Sequence, residues 1–162
     1  MRKITFLPVR TEQEVILLDR ALRALSADLG DTHKASRACL ASALLSKAAP
    51  AHGLLAMQGD TLCGAALFSP LYSTARGAAG VYVSDLWVDE TLRGAGLGRR
   101  MLAEVLRRAA QTWQAEWLTL AVYDHSVASR AFYDRLGLVP RSGATVMTLD
   151  REGCLEMMKD TG

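Results

Sequence analysis

Residues Arg93-Gly94-Ala95-Gly96-Leu97-Gly98 form a glycine-rich stretch followed by Arg99 and Arg100. An apolar run precedes it at 81–88, and Leu97, Met101, Leu102, Val105, Leu106 and Ala109 recur at helical spacing after it. This order predicts strand, loop and helix. A helix N-terminus leaves N–H groups unpaired and carries partial positive charge, so it is a natural anion site. Glycines let a phosphate approach the backbone, and the arginines add positive charge. The combination suits a diphosphate. A tight turn alone is the other reading, but three alternating glycines beside three arginines exceed what a turn needs. A Walker A loop would end in Gly-Lys-Ser/Thr, which is missing. The third glycine comes one position too early for GxGxxG, and the preceding strand follows a hairpin instead of opening a first βαβ unit.

Other residues with chemical capacity are fewer. Asp85 lies on the strand before the loop, as a proton acceptor or as a strand-end carboxylate in a salt bridge. Tyr133 stands in a helical pattern that by itself predicts a buried ring and a wet hydroxyl. His125 ends a predicted strand and reads as a solvated loop residue or a helper in proton transfer. His33 and His52 lack metal-ligand spacing, and no metal is expected. Cys39, Cys63 and Cys154 are odd in number, widely spaced and without a CxxC pair. A zinc site or disulfide framework is therefore not expected, and a reduced, cytoplasmic setting is. No GxSxG elbow supports a serine hydrolase. Trp87, Trp113 and Trp117 do not alternate with basic residues, and 19 basic against 17 acidic residues is balanced. No nucleic-acid partner is expected. No apolar run approaches the roughly 20 residues of a membrane span, and the first residues are too short a run for a signal peptide.

The elements that must position these residues follow from periodicity. Strands are predicted at 4–9, 53–57, 62–68, 81–88, 118–123 and 144–149, with a short additional one at 138–141. Helices are predicted at 12–29 (stopped by Gly30), at 36–48, after Gly98, and from Ser126 or Ser129 to Leu136, with Gly137 as its stop. Residues 69–80 read as a loop and 154–159 as a terminal turn of helix. The order β-α-α-β-β-β-α-β-α-β-β describes one α/β domain over 1–162. It implies a mixed, mostly antiparallel twisted sheet with helices on both faces.

The loop Arg93-Gly94-Ala95-Gly96-Leu97-Gly98 resembles the Arg/Gln-x-x-Gly-x-Gly/Ala signature of the GNAT superfamily of N-acetyltransferases. The stretch from Ser126 through Ala128, Ser129, Phe132 and Tyr133 to Gly137-Leu138 resembles that family's second block. Ser126 stands there for the usual Asn, and Leu138 for the usual Phe. Together the two blocks extend the resemblance over residues 4–158. Within the superfamily the chain looks most like the diamine and thialysine branch, on 83–88 and on the tail 147–155. Ser84 stands where that branch has a second acidic residue.

The resemblance implies acetyl-CoA as cosubstrate and a small-molecule primary amine as acceptor, attacked directly in a ternary complex. It implies that Arg93, Gly94, Ala95, Gly96, Leu97, Gly98 and Arg99 wrap the pyrophosphate. Leu86, Trp87 and Val88 would hold the pantetheine arm, with Ser126, Ser129 and Tyr133 as further cofactor contacts. Tyr133 would serve as general acid and Asp85 as the candidate proton acceptor. A homodimer is also implied. A non-catalytic acyl-CoA-binding domain and a protein or peptide N-acetyltransferase are the alternatives on the same fold.

Overall fold

The computed structural model of the protein describes residues 3–159. Residues 1–2 and 160–162 of the expected 1–162 domain lie outside the described residues. The chain divides into two compact units, one through Val127 and one from Ala128.

The first unit opens with β1 (Ile4–Pro8), α1 (Glu12–Leu29) and α2 (Arg37–Leu45). Then come β2 (His52–Gln58), β3 (Thr61–Ser73), β4 (Ala78–Val88), a 3-10 turn (Glu90–Leu92), α3 (Leu97–Trp113) and β5 (Trp117–Leu120). The strands form one sheet in chain order, β1-β2-β3-β4-β5. The first three pairings are antiparallel, and β4–β5 is parallel. A parallel pair needs a crossover, and α3 supplies it.

Local chemistry sets the helix ends. Thr11 and Glu14 form a reciprocal capping box at the start of α1. Gly30, at φ 73°, ends α1 in the left-handed conformation. Ser36 caps α2 by accepting from the Cys39 N–H at 3.1 Å.

Helices cover both faces. On one, Leu55, Met57 and Ala65 pack with Val15, Leu18 and Leu22 of α1 and Leu40 and Leu44 of α2. Leu18 and Leu55 are fully buried, and each such side chain contributes roughly 1.5–3 kcal/mol. On the other face α3 lies so close that a Cβ on Gly64 would collide with the Met101 side chain. Trp113 Nε1 also donates to the Gly80 carbonyl at 3.0 Å.

The second unit holds α4 (Val127–Arg135, reaching back by one residue) and α5 (Arg151–Lys159). Gly137, at φ 87°, follows α4 as expected.

Three expectations need correction. Residues 69–80 are not a loop: β3 runs on to Ser73, and β4 starts at Ala78, so two long strands pair down to Ser73↔Ala78. Hydrogen bonding across the hairpin outweighs the small, polar composition that suggested a loop. The strands expected at 138–141 and 144–149 are absent; 138–150 is irregular. An apolar run becomes a strand only when a neighbour satisfies its backbone, and no described strand pairs with this segment. The strand expected at 118–123 ends at Leu120, for a reason that bears on the site.

Candidate functional site

β4 carries an irregularity at its centre. Leu67 pairs with Asp85, but Phe68 pairs with Val83, so Ser84 is an extra residue. Its hydroxyl donates to the Leu67 carbonyl at 3.1 Å. A bulge bends the strand that carries it. The parallel ladder with β5 covers Gly80–Val83 against Trp117–Leu120 and stops there. Beyond the bulge β4 therefore continues with its β5 side open among the described residues.

Backbone direction on this open edge follows from one bond. The Asp89 N–H donates to Cys63 O at 2.9 Å, toward β3. By alternation Asp85 and Trp87 also point their backbone groups at β3, while Leu86 and Val88 point theirs into the opening. Arg93 Nε donates to Val88 O at 2.9 Å, which agrees with this. The exposed edge is suited to an extended ligand with amide groups.

The glycine loop lies at the end of the same strand. Asp89 accepts from the Thr91 N–H at 3.0 Å and from its hydroxyl at 2.6 Å. These bonds hold the Asp89 carboxyl below its ordinary range and fix the turn. Gly94 and Gly96 both sit at φ 79°, a region that only glycine enters freely. A Cβ on either would meet no atom within 4 Å, so the space over the loop is clear. Gly96 is the N-cap of α3, and no side chain caps its N–H groups. Orphan donors under open space fit an anion. Gly98 lies inside the first turn of α3, with Leu97 buried beneath the loop and Ala95 and Arg99 exposed.

Arg93, at the start of the loop, has two partners that its charge alone does not reveal. Its guanidinium bonds Asp28 at 2.5 Å as well as Val88 O, tying the loop to α1 and β4. Arg100 lies over the Phe6 ring at 5.4 Å.

A cavity of about 530 Å³ opens beside Asp85 on the α1–α2 face, lined by Ser26, Asp31, His33, Leu67 and Tyr123 among others. Asp85 is half-buried. Burial pushes its carboxyl above the ordinary range; the Ser84 hydrogen bond and the nearby His33 pull it down, and Asp31 pushes it up. The Tyr123 hydroxyl donates to Asp31 at 2.9 Å, which raises its own pKa. The Tyr123 ring stacks on exposed His125 at 5.2 Å.

Behind the cavity wall lies Asp19, only 2% exposed. Its Oδ2 pairs with Arg23 Nε at 3.0 Å and faces Arg37 Nη2 at 3.9 Å. Its Oδ1 lies 3.5 Å from His33 Nε2.

Ser126 immediately precedes α4, and its N–H donates to Tyr123 O at 2.9 Å. Ser129 and Tyr133 are half-buried on α4 in the second unit, with the Tyr133 ring 5.1 Å from Phe132. Burial pushes the Tyr133 phenol up.

Asp85, Leu86, Trp87, Val88 and the loop thus come together along one strand and its turn. Asp19, Ser26, Asp31, His33 and Tyr123 were not singled out from the sequence. Asp19 had a legible signal: an acid within the stripe Val15, Leu18, Leu22, where a charge is costly unless paired. Among the described residues no group of three or more His, Cys, Asp or Glu is arranged to hold a metal. No helix there is long and apolar enough to cross a membrane.

Comparison with known proteins bears on this geometry. A spermine/spermidine N(1)-acetyltransferase from Bacillus subtilis is 26% identical over 82 residues, 49% of this chain and 53% of that protein. The match thus spans about half of the relative's length. An integron cassette protein from the mobile metagenome of V. cholerae superposes with a TM-score of 0.76 at 19% identity, over 98% of this chain and 99% of that one. An aminoglycoside acetyltransferase from an uncultured soil metagenomic sample, in complex with sisomicin, gives 0.73 at 13% identity, over 91% and 97%. These two likenesses establish the fold. Residues 19–138 match the profile of the acetyltransferase (GNAT) family, and with the bulged β4, its open edge and the uncapped glycine turn inside that span, the chain belongs to that family.

Proposed function

We propose that the protein transfers an acetyl group from acetyl-CoA to the primary amine of a small molecule, with a diamine or a lysine-like amine as the favoured acceptor. The observation that carries this reading is the uncapped N-terminus of α3 under clear space, continuous with the open edge of β4. The N–H groups of Leu97, Gly98 and Arg99, with Gly94, Ala95 and Gly96, hold the diphosphate. Arg93 keeps the turn in register through Val88 and Asp28. Leu86 and Val88 offer backbone to the pantetheine arm, with Trp87 between them bonded toward β3, and Ser126 and Ser129 add polar contacts. Acetyl-CoA supplies the thioester that the amine attacks directly.

The residues then have separate tasks. An alkylamine has a pKa of about 10.4 and must lose a proton before it attacks. Asp85, at the cavity, accepts that proton. The N–H of Leu86 or Val88 donates to the oxygen on which charge develops. Tyr133 protonates the departing sulfur; a phenol held above its ordinary pKa keeps its proton for that step. Asp31 and Asp85 make the cavity attractive to cations, in keeping with the relative that acts on spermine and spermidine.

CoA-thiol release across diamines, lysine analogues, aminoglycosides and peptide N-termini tests the reading. Turnover is expected with the small amines. Tyr133→Phe is expected to lower kcat by about 10²-fold or more while acetyl-CoA affinity stays close to wild type. CoA binding without turnover of any amine would favour a non-catalytic acyl-CoA-binding role.

A cytoplasmic homodimer completes the proposal. Val146, Met147, Leu149, Leu155, Met157 and Met158 of the second unit are all exposed, more apolar surface than a short segment usually leaves in water. Light scattering is expected to give twice the chain mass.

A further inference from the structure

Acetylation of an ammonium has a fixed proton balance. The ammonium and the thioester become an amide and a thiol, and one proton is left over in each turnover. The nitrogen loses two protons; one ends on sulfur and the other must leave the pocket. In the proposed function Asp85 takes that second proton, and a half-buried carboxyl that keeps it cannot serve the next turnover.

We propose that His33, held between Asp19 and Ser26, is the residue through which that proton leaves Asp85 for solvent. This rests on the acetyltransferase reading of the site. His33 and Ser26 line the same cavity as Asp85. The two ring nitrogens of His33 face fixed partners: Nδ1 lies 3.4 Å from Ser26 Oγ, and Nε2 lies 3.5 Å from Asp19 Oδ1. Asp19 Oδ1 and His33 Nε2 are both buried and make no hydrogen bond among the described residues. A carboxylate behind an imidazole fixes its tautomer and orientation and pairs with the imidazolium that forms on proton transfer. Asp19 is itself anchored by Arg23 of α1 and Arg37 of α2, so the imidazole is held from both helices that wall the cavity.

The charges around His33 are Asp19, Arg23 and Arg37 behind it, Asp85 across the cavity, and Asp31 and Lys34 on its own loop, with the Tyr123 hydroxyl on Asp31. The proton moves from the Asp85 carboxyl across the shared cavity to the Ser26 hydroxyl, which passes its own proton to the His33 Nδ1 that faces it, and then to buffer. Asp85 returns to carboxylate and His33 to neutral imidazole, so both are restored. His33 acts through Asp85 and is a positioning residue, not a catalytic one.

The discriminating variant is His33→Gln, which keeps a hydrogen-bonding group for Asp19 but cannot carry the proton. With a turned-over amine, kcat is expected to fall at least about tenfold near neutral pH. Its acid limb should move to higher pH, and the KM for acetyl-CoA should stay within about twofold. In His33→Ala, added imidazole should restore rate in a concentration-dependent way. By carbon-detected NMR the Asp85 carboxyl should titrate at higher pH in His33→Gln than in wild type, because the cation that His33 becomes is missing. If either His33 variant does not fold, Asp19→Asn should show the same shift of the acid limb. A wild-type pH profile in His33→Gln, or an equal loss at every pH without imidazole rescue, would overturn the proposal and leave the acetyltransferase reading standing. Wild-type protein that binds CoA yet turns over no amine would overturn both, and an unmoved Asp85 titration would remove the coupling of the two groups independently of activity.

Discussion

The surroundings of Asp85 disfavour its ionised form. Burial raises its pKa, Ser84 and His33 offset part of the rise, and Asp31 adds to it. A carboxyl whose folded pKa lies above its unfolded value stabilises the protein fully only below the unfolded value, and that contribution is lost as pH rises through the folded pKa. Ionising Asp85 is therefore a cost to the fold, one that the proposed proton transfer would require. Asp85→Asn is expected to be slower than wild type, with a deficit that narrows as pH rises because the amine then deprotonates unaided. The same variant is expected to melt higher than wild type at pH 7 and to lose that advantage well below pH 4, where the carboxyl is protonated in both folded and unfolded chains. Rate–pH profiles and thermal melts across the range check both halves; a uniform rate loss at every pH would make Asp85 a positioning group.

At the scale of elements, the turn between β4 and α3 was the most legible part of the chain. The alternating glycines were read as room for close approach to the backbone, and Gly94 and Gly96 sit at φ 79°, where only glycine is free to go. The α1 and α3 faces were equally legible, because Val15, Leu18 and Leu22, and Met101, Leu102 and Val105, keep strict helical spacing and all are buried. The bulge at Ser84 was not, since nothing in a run of strand-forming residues marks which one is left unpaired. Nor was the fate of 138–149, where two short apolar runs found no partner strand among the described residues. Nor were the partners of Arg93, Val88 O and Asp28, since its charge beside the loop names no particular acceptor. Gly96→Val probes the turn itself. A β-branched residue at φ 79° costs about 1–3 kcal/mol, yet a Cβ there would meet no atom within 4 Å beyond its chain neighbours. The variant is expected to fold with a modestly lower Tm and to lose CoA binding in calorimetry. Retained CoA affinity would remove the turn from the site.

For the molecule as a whole, the described sheet runs in the order β1-β2-β3-β4-β5, and β4 outruns its β5 partner beyond the bulge, next to the uncapped helix end. A ligand that fills both features binds the folded chain and not the unfolded one, because donors on an α3 N-terminus and a β4 edge exist only when the sheet forms. Linkage then stabilises the fold by about 2.7 kcal/mol at a ligand concentration one hundred times Kd. In a chain of this size roughly 2–4 °C accompany each kcal/mol, so saturating acetyl-CoA is expected to raise Tm by about 5–10 °C. NAD carries a diphosphate as well but lacks the amide-bearing arm that would lie along Leu86 and Val88, and it is expected to shift Tm by far less. Equal shifts from the two would mean that the diphosphate alone is recognised and the open strand edge has another purpose. A shift from acetyl-CoA that survives in Gly96→Val would mean that the coenzyme sits away from the turn.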